Sequence, residues 1–469
     1  MRVPTQIFRE YDIRGVADRD LTDALARGVG GGFATMLGAA NAASATNARA
    51  RVAVGRDCRL SSDRLFAALT AGLTEAGADV IEIGIGPTPF LYGSVHALGT
   101  DGGIMITGSH NPGDENGFKM MKGKASFFGP DIQTLRRIIE EDAIVKATSP
   151  GRIEKVDTKE RYVDMVTSGI RMARTDVKFV LDAGNGAGGP LGLACMRKVG
   201  LSPDELYCDM DGHFPNHHPD PTVPKNLEAL IDRVKKTGAR VGLAFDGDAD
   251  RLGAVDANGD IIWGDKMMIL FSRALLAEKP GAAIIAEVKC SQTLFDDVAK
   301  HGGRPIMWKT GHSLIKTKMK EEGALLAGEM SGHLFFADRY YGYDDALYAA
   351  LRLLEILARD SRSLGEMLAD VPKTFSTPEL RVDCPDAIKF DVVKAVLAHY
   401  RGKEGARTPV VDIDGARISF GTASDPAWGL VRASNTGPVL VMRFEATSAA
   451  RLAEIRNEVE GVVLAARSA

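Results

Sequence analysis

The first 360 or so residues alternate between short apolar segments and longer amphipathic segments. An apolar run at 51–55 precedes a helical pattern at 61–76, and a run at 178–183 precedes another at 187–199. The same order recurs after the apolar runs 240–245 and 282–288. Strands that alternate with helices predict doubly wound α/β domains with parallel sheets.

The pattern changes near residue 371. Beyond it the sequence predicts strands at 409–413, 416–420 and 438–445 and a closing helix at 448–466, which is typical of a smaller α+β domain with an antiparallel sheet. An Ala/Asn-rich stretch at 39–50 is interpreted as a surface connection. We therefore expect three similar α/β domains and one α+β domain, over residues 1–150, 151–256, 257–370 and 371–469.

Composition and charge exclude several classes of protein. The 58 basic and 62 acidic residues give a net charge of −4, which argues against an electrostatic nucleic-acid binder. The five widely spaced cysteines form no CxxC pair, so neither a disulfide framework nor a zinc site is predicted. No apolar signal core or membrane-spanning run is present, and we expect a cytoplasmic protein that does not bind membranes.

Three polar, glycine-bearing loops each follow an apolar strand directly. They are TGSHNP (107–112), DGDADR (246–251) and GEMSGH (328–333). Ligands of open α/β sheets bind outside the carboxyl ends of the strands. Loops at similar places in three similar domains therefore predict one site that the domains share.

The loop at 246–251 places three aspartates, Asp246, Asp248 and Asp250, at alternate positions. Carboxylates crowded in this way repel one another unless a hard cation binds them. An EF-hand loop is excluded because Arg251 and Ala257 stand where it requires Gly and Glu. An aspartate-nucleophile phosphatase has a Thr or Val after its Asp-x-Asp pair, where this chain has Asp250. The loop could also be a turn with solvated carboxylates, and we favour a metal site.

The remaining loops offer nucleophilic, basic and hydroxyl-bearing side chains. Ser109 and His110 lie in the turn at 107–112, and Lys119 follows on a strand-like segment. Taken alone, Ser109 fits a turn serine better than a nucleophile, and the two loops described next also fit solvated turns at the surface. If the loop at 328–333 is extended, Glu329, Ser331 and His333 all point to one side and can hold sugar hydroxyls. In RASNTG (432–437) a guanidinium, Arg432, is joined by hydroxyl and amide donors, a set that suits a phosphate dianion: Ser434, Asn435 and Thr436.

Together, these four loops resemble the α-D-phosphohexomutase superfamily, and within it the bacterial phosphomannomutase/phosphoglucomutase branch. The resemblance runs from YDIRG (11–15) to the segment 432–446. It implies four domains around one central cleft and a Ser109 phosphoserine that exchanges its phosphoryl group with a hexose phosphate. The reaction would pass through a hexose 1,6-bisphosphate, with glucose 1,6-bisphosphate as activator. Magnesium would be held by Asp246, Asp248, Asp250 and a phosphate oxygen on Ser109.

The resemblance also assigns the remaining residues to roles. Basic groups that match the family's positions are Arg14, Lys119, Arg251, Lys289 and Arg432. Lys119 and His333 are nominated for proton transfer, with His110 and Arg14 as second choices. We expect cationic neighbours to lower the pKa of Lys119. Substrate contacts are assigned to Tyr11, Lys289, His312, Glu329, Ser331, His333, Arg432, Ser434, Asn435 and Thr436.

Because one site must bind the sugar in two flipped poses, we expect no specific contact with the 2-hydroxyl, the group whose configuration distinguishes glucose from mannose.

Three further hypotheses compete with this one: a dedicated phosphoglucosamine mutase, a hydrolase that works through an aspartyl phosphate, and a non-catalytic sugar-phosphate binder. The predicted partner is a small hexose phosphate. No long apolar heptad indicates assembly, so we expect a monomer.

Overall fold

The computed structural model describes residues 3–39, 49–401, 409–422 and 424–468, so most of the connection predicted at 39–50 lies outside the described residues. These residues form four sheets, and the first is mixed. Its strands are Ile13–Val16 (β1), Arg51–Arg56 (β2), Asp79–Ile85 (β3), Gly102–Ile106 (β4), Glu115–Lys122 (β5), Ala125–Ser126 (β6) and Ile153–Lys155 (β7). Their order across the sheet is β1-β5-β4-β2-β3-β7, with β6 beside β5. The helices are Asp23–Met36 (α1), Ser62–Glu75 (α2), Thr88–Leu98 (α3) and Pro130–Glu140 (α4).

The second sheet has the order β12-β11-β10-β8-β9, and the third β14-β13-β15-β16. The second domain contains Lys159–Ser168 (α5), Phe179–Asp182 (β8), Gly189–Lys198 (α6), Asp204–Leu206 (β9), Glu228–Thr237 (α7), Val241–Phe245 (β10), Leu252–Asp256 (β11) and Ile261–Ile262 (β12). The third contains Gly264–Glu278 (α8), Ala283–Glu287 (β13), Gln292–Lys300 (α9), Arg304–Trp308 (β14), His312–Glu322 (α10), Leu326–Gly328 (β15), Leu334–Phe336 (β16), Ala346–Arg359 (α11) and Leu364–Met367 (α12).

The fourth sheet is antiparallel throughout, in the order β17-β22-β21-β20-β19 with β18 beside β22. Its elements are Phe375–Ser376 (β17), Leu380–Asp383 (β18), Lys389–Arg401 (α13), Val410–Val411 (β19), Ala416–Ser419 (β20), Trp428–Ala433 (β21), Val439–Ala446 (β22) and Ala449–Ser468 (α14). The predicted change from α/β to α+β is therefore confirmed. The exact domain boundaries stay a prediction, although β7 and β12 extend a few residues past the proposed limits at 150 and 256.

The first three sheets are mixed rather than purely parallel, and their antiparallel strands position the site. In each sheet a central parallel strand ends in one of the polar loops, and the chain returns as an antiparallel neighbour. The loops join β4 to β5, β10 to β11 and β15 to β16. A short connection can link antiparallel strands only, because a parallel return needs a long crossover. The sequence predicted where the strands end but not the direction of the return.

The apolar core links the first three domains more closely than the fourth. One continuous buried cluster contains Phe90 of the first domain, Phe179 of the second and Phe271 of the third. The fourth domain has a core of its own, and a small cluster around Val288 and Trp428 joins it to the third. Among the described residues, no helix combines the length and apolar character that crossing a bilayer requires.

Candidate functional site

Ser109 lies in the turn between β4 and β5 and is almost wholly buried. Its backbone has φ of +50°, a left-handed conformation that is uncommon for residues other than glycine. Its Oγ donates to Asp246 Oδ2 at 3.0 Å and lies 3.0 Å from His110 Nδ1. Burial, followed by the charges of Arg251 and Arg14, lowers the pKa of His110 well below its ordinary value, so this imidazole is neutral. The predicted nucleophile thus faces both an acidic side chain and a neutral base.

The acidic loop folds into a tight turn in which all three aspartates are fully buried. Asp246 Oδ1 accepts hydrogen bonds from the backbone N–H groups of Asp250 and Arg251, both at 3.1 Å. Each aspartate offers one oxygen to a cluster whose atoms all lie within 4.8 Å of one another. Burial and the neighbouring carboxylates Asp250 and Asp248 raise the pKa of Asp246 well above its ordinary value.

Two oxygens of this triad, Asp248 Oδ1 and Asp250 Oδ1, are buried and form no hydrogen bond within the described chain. Burying a charged oxygen without a partner is costly, and a coordinated cation removes that cost. Three hard oxygen ligands fit Mg²⁺ or a similar ion. The triad could therefore hold a metal ion.

Lys119 comes from β5 and points directly into the acidic triad. Its Nζ donates to Asp248 Oδ2 at 2.8 Å and also to Asp250. Burial opposes the charged ammonium, but the two carboxylates outweigh it and raise the pKa of Lys119 above its ordinary value. The expectation of a lowered pKa is therefore wrong, because the nearest groups are anions that enter from a loop 129 residues later in the chain.

Arg14 and Arg251 are two partly buried cations near the Ser109 turn and the acidic loop. Arg14 Nε donates to Asp12 Oδ2 at 2.6 Å, and its Nη1 donates to Asn111 Oδ1 at 2.9 Å beside the Ser109 turn. Arg251 Nε donates to His333 Nε2 at 2.9 Å. Because Nε2 accepts this bond, the proton of a neutral His333 is assigned to Nδ1, which lies 3.1 Å from Asp344 Oδ2.

The loop at 328–333 is a tight hairpin turn, so the extended conformation that would align its three side chains on one side is not adopted. Glu329 N donates to the carbonyl of His333 at 2.9 Å, which places the two side chains on opposite arms of the turn. Ser331 Oγ donates to Glu329 Oε2 at 3.1 Å, and the N–H of Gly311 donates to Oε1 at 2.7 Å. Glu329 and Ser331 remain adjacent, whereas His333 faces Arg251 and Asp344 instead.

His312 is the first residue of helix α10, and its ring contacts the rings of both Tyr11 and His333. Its ring stacks on His333 with centroids 5.7 Å apart and meets the ring of Tyr11 at 5.8 Å. Burial and the charge of Lys316 lower the pKa of His312 well below its ordinary value. The substrate contact assigned to His312 stays a prediction.

The loop at 432–437 contacts residues of the first and third domains. Arg432 Nε donates to Asp414 Oδ2 at 2.9 Å, and Asp414 Oδ2 also accepts the N–H of Thr310 at 3.0 Å. Asn435 Nδ2 donates to Tyr11 Oη at 2.8 Å, while that hydroxyl donates to the carbonyl of Thr310 at 2.8 Å. Tyr11 therefore ties three domains together at one point.

Within the same loop, Ser434 Oγ accepts the N–H of Thr436 at 3.2 Å, which keeps both hydroxyls on one turn. Lys289 approaches from the third domain, and its Nζ donates to Glu379 Oε2 at 2.9 Å. Burial opposes the charged ammonium of Lys289, but the carboxylates of Glu287 and Glu379 outweigh it and raise the pKa of Lys289 above its ordinary value. Lys289, Arg432 and the hydroxyls of the loop at 432–437 thus lie in one region.

The structure brings the predicted residues together in two neighbouring groups. One group surrounds Ser109 and the acidic triad, and the other surrounds Glu329 and Arg432. Sequence reasoning missed the acidic and hydroxyl partners that hold these residues in place: Asp12, Thr88, Glu287, Asp344, Glu379 and Asp414. Asp12 lies within YDIRG, whereas none of the motifs quoted above includes the other five residues. For the acidic partners, the signal available in the sequence is that a buried cation needs a nearby anion.

Comparison with protein families gives a match in all four domains. The profiles described as phosphoglucomutase/phosphomannomutase, alpha/beta/alpha domains I, II and III, match residues 5–145, 160–259 and 263–375. The profile of the C-terminal domain of the same family matches residues 379–462.

Relatives and solved structures match along nearly the whole chain. A phosphomannomutase/phosphoglucomutase of Pseudomonas putida is 44% identical over 455 residues, which are 97% of this chain and 95% of the relative. A phosphoglucomutase of Neisseria gonorrhoeae is 44% identical over 98% of this chain and 97% of the relative. A crystal structure of a phosphoglucomutase/phosphomannomutase family protein from Burkholderia thailandensis is 42% identical, with a TM-score of 0.89 over 99% of this chain and 98% of that one.

Proposed function

Since the chain belongs to the phosphoglucomutase/phosphomannomutase family, we propose that it interconverts hexose 1-phosphates and hexose 6-phosphates. Ser109 carries the phosphoryl group, and a hexose 1,6-bisphosphate is the intermediate. The contact that carries this proposal is that of Ser109 Oγ with Asp246 Oδ2, 3.0 Å apart in a buried turn. A turn serine with no catalytic role has no need of a buried acidic triad.

The reaction consists of two balanced phosphoryl transfers. A sugar hydroxyl oxygen bonds to phosphorus while the bond from phosphorus to Ser109 Oγ breaks; the hydroxyl proton leaves to a base, and Oγ receives a proton. The bisphosphate then reorients in the site, and its other phosphoryl group is transferred to Ser109 by the reverse of the first step. Such transfers depend on alignment and on charge stabilisation, with little covalent work left to the protein. Phosphoserine and a sugar phosphate each bring about −2, so cations must surround them.

We propose that Asp246, Asp248 and Asp250 hold Mg²⁺ together with a phosphate oxygen on Ser109. The unpartnered oxygens of Asp248 and Asp250 support this assignment. When bound, the ion draws charge from the transferring phosphoryl group and makes the serine oxygen a better leaving group. The remaining positive charge comes from three basic residues beside the Ser109 turn and the acidic loop, namely Arg14, Lys119 and Arg251.

Proton transfer is assigned to Lys119 and His333, with His110 and Arg14 as the second choices. His110 contacts Oγ directly, at 3.0 Å, and its neutral ring can accept or return a proton there. His333 is oriented by Arg251 on one nitrogen and by Asp344 on the other. Lys119 pairs with two carboxylates, and its charged form suits it to bind phosphate oxygens as well.

The second group of residues is assigned to the sugar and to its distal phosphate. Glu329 and Ser331 lie side by side and suit two adjacent sugar hydroxyls, the 3- and 4-hydroxyls. The phosphate that is not reacting is assigned to Tyr11, Lys289, His312, Arg432, Ser434, Asn435 and Thr436. We propose that the enzyme accepts both glucose and mannose phosphates, because hydroxyls that nearly exchange places in the two poses are the ones a single site can hold.

The test is kcat/KM for glucose 1-phosphate and mannose 1-phosphate in parallel, with Mg²⁺ and catalytic glucose 1,6-bisphosphate. Values within about tenfold, or 1.4 kcal/mol, are expected for a site that does not read the 2-hydroxyl. A gap beyond about a thousandfold, which needs a specific hydroxyl contact, would show a dedicated enzyme. Turnover of glucosamine phosphates alone would indicate a phosphoglucosamine mutase.

Replacing Ser109 with Ala distinguishes a mutase from a hydrolase and from a non-catalytic binder. Turnover should fall by roughly a thousandfold or more, as when a covalent nucleophile is removed, while sugar-phosphate binding persists. Ser94→Ala is the control, since Ser94 is equally buried in the same domain but contacts Thr158. A phosphoenzyme labile in mild acid would indicate an aspartyl-phosphate hydrolase, and binding with no turnover in the wild type would indicate a sensor.

A further inference from the structure

The guanidinium of Arg59 donates hydrogen bonds to four backbone carbonyls in and beside the Ser109 turn. Arg59 Nη2 donates to the carbonyls of Ser109 and Asn111 at 2.7 and 2.6 Å. Its Nη1 donates to the carbonyls of Pro112 and Glu115 at 2.5 and 2.9 Å. The Arg59 side chain has no exposed surface, and it comes from the loop after β2, about 50 residues before the turn.

Asp57 holds Arg59 and the turn together. Its Oδ2 lies 3.2 Å from Arg59 Nε and accepts the N–H of Gly108 at 3.2 Å. Its Oδ1 accepts a hydrogen bond from the Ser62 hydroxyl at 2.7 Å, which fixes the carboxylate to the start of α2. A Cβ on Gly108 would lie 2.5 Å from Arg59 Cζ, so the glycine is what allows the guanidinium to reach the backbone.

The turn requires such support because Ser109 adopts φ of +50°. Non-glycine residues persist in that region only where the surroundings hold them there. The second domain closes over the same turn: the Phe214 ring lies 5.2 Å from Arg59 Cζ, and a Cβ on Gly247 would lie 2.3 Å from the carbonyl oxygen of Ser109. Arg59 thus fixes the backbone whose conformation aims Oγ at Asp246.

We propose that Arg59, held by Asp57, is a positioning residue for phosphoryl transfer at Ser109, an assignment that rests on the proposed function. Arg59 has no assigned contact with the sugar or the phosphate and acts through the backbone carbonyls. Arginine alone has a planar fork of donors that can bind four acceptors at fixed angles, whereas lysine has three donors at one point. An Arg59→Lys substitution therefore keeps the positive charge but cannot bind all four backbone carbonyls in the observed arrangement.

The test compares Arg59→Lys with Arg240→Lys in the full chain. Arg240 is a matched control because it also donates to three backbone carbonyls, those of Leu357, Asp360 and Arg362. For Arg59→Lys we expect kcat to fall about a hundredfold with KM within about threefold, since small misplacements of reacting atoms cost that much. Amide hydrogen exchange across 107–115 should rise about tenfold, and neither change is expected for Arg240→Lys.

Each result decides the proposal. A folded Arg59→Lys variant with wild-type kcat and wild-type exchange overturns it, and so does an equal loss of kcat in Arg240→Lys. If Arg59→Lys does not fold, Asp57→Asn takes its place, with kcat about tenfold lower as the expected result and unchanged kcat and exchange as the overturning one. If the wild type turns over no hexose phosphate, the proposed function fails, while hydrogen exchange still tests the positioning.

Discussion

Glu379 is the acidic partner that Lys289 meets where the third and fourth domains touch. The charge of Lys289 outweighs burial and holds the pKa of Glu379 at about 2, below its ordinary value of 4.5. A carboxyl whose pKa is depressed by folding adds stability above pH 4.5, and that stability disappears as the pH falls through 4.5 towards 2. The ion pair should therefore stabilise the folded chain at neutral pH.

We expect Glu379→Gln to lower the free energy of unfolding by about 2 kcal/mol at pH 7 and by roughly half as much near pH 3. Chemical denaturation from pH 7 to pH 3 measures this difference. Glu454→Gln is the control, because Glu454 is exposed and pairs with Arg451 at the surface, where such pairs contribute little. A Glu379→Gln deficit that stays constant over this range would contradict the pKa assigned to Glu379.

At the scale of single residues, the sequence predicted the chemical groups better than their surroundings. Ser109 and the aspartate triad could be proposed from the sequence because each lies within a motif of six consecutive residues, 107–112 and 246–251. The pKa of Lys119 was not, because Asp248 and Asp250 reach it from another domain. Arg59 carries no signal of its own in the sequence, since its partners are backbone carbonyls that every residue possesses.

At the scale of elements, Gly311 allows the first and third domains to meet at the start of α10. Its φ is +130°, and a Cβ there would lie 2.4 Å from Tyr11 Cζ. Its N–H donates to Glu329 Oε1 at 2.7 Å. Any side chain at this position would displace the Tyr11 ring from the start of α10.

We expect Gly311→Ala to lower the free energy of unfolding by about 2 kcal/mol more than Gly323→Ala does. Gly323 lies in the left-handed helical region, which other residues can adopt, whereas Gly311 lies outside that region and its added Cβ would overpack Tyr11. Gly323 ends the same helix with φ of +60° and has no atom within 4 Å of an added Cβ. Urea denaturation measures the difference in stability, and KM for glucose 1-phosphate should rise in Gly311→Ala alone. Equal losses in the two variants would show that the contact with Tyr11 does not matter.

The same scale explains which elements the sequence could predict. Helix and strand periodicity located the terminal helix at 448–466, close to the observed Ala449–Ser468. Periodicity did not reveal that the loop at 328–333 is a hairpin, because β15 and β16 have three residues each. Strands this short leave no alternating pattern, so the sequence left open whether the loop between them is extended or forms a turn.

At the scale of the molecule, the distribution of buried apolar surface separates the fourth domain from the rest. The first three domains share a continuous core, whereas the fourth is joined to the third through a small cluster around Trp428. Contacts between the first and fourth domains are polar: Asn435 with Tyr11, and Arg9 with Asp386 at 3.4 Å. Polar contacts can break and reform at low cost, so the fourth domain is the part expected to rotate and close the cleft.

Tyr11→Phe tests this closure, because it removes the hydroxyl that bonds both Asn435 and Thr310. Losing a net hydrogen bond costs about 1 kcal/mol, which corresponds to roughly fivefold in KM for glucose 1-phosphate. Small-angle scattering should show a larger radius of gyration for the unliganded variant than for the wild type, and saturating sugar phosphate should reduce the difference. The scattering also reports whether the chain is the expected monomer.

Tyr341→Phe is the matched control, since the Tyr341 ring is about half exposed and packs against His96 and Tyr343. It should leave both the radius of gyration and KM unchanged. If wild-type scattering is identical with and without sugar phosphate, and Tyr11→Phe matches the wild type in both states, the cleft is rigid. The Tyr11 hydroxyl would then act only as a binding contact, and a rise in KM without any change in scattering would be its signature.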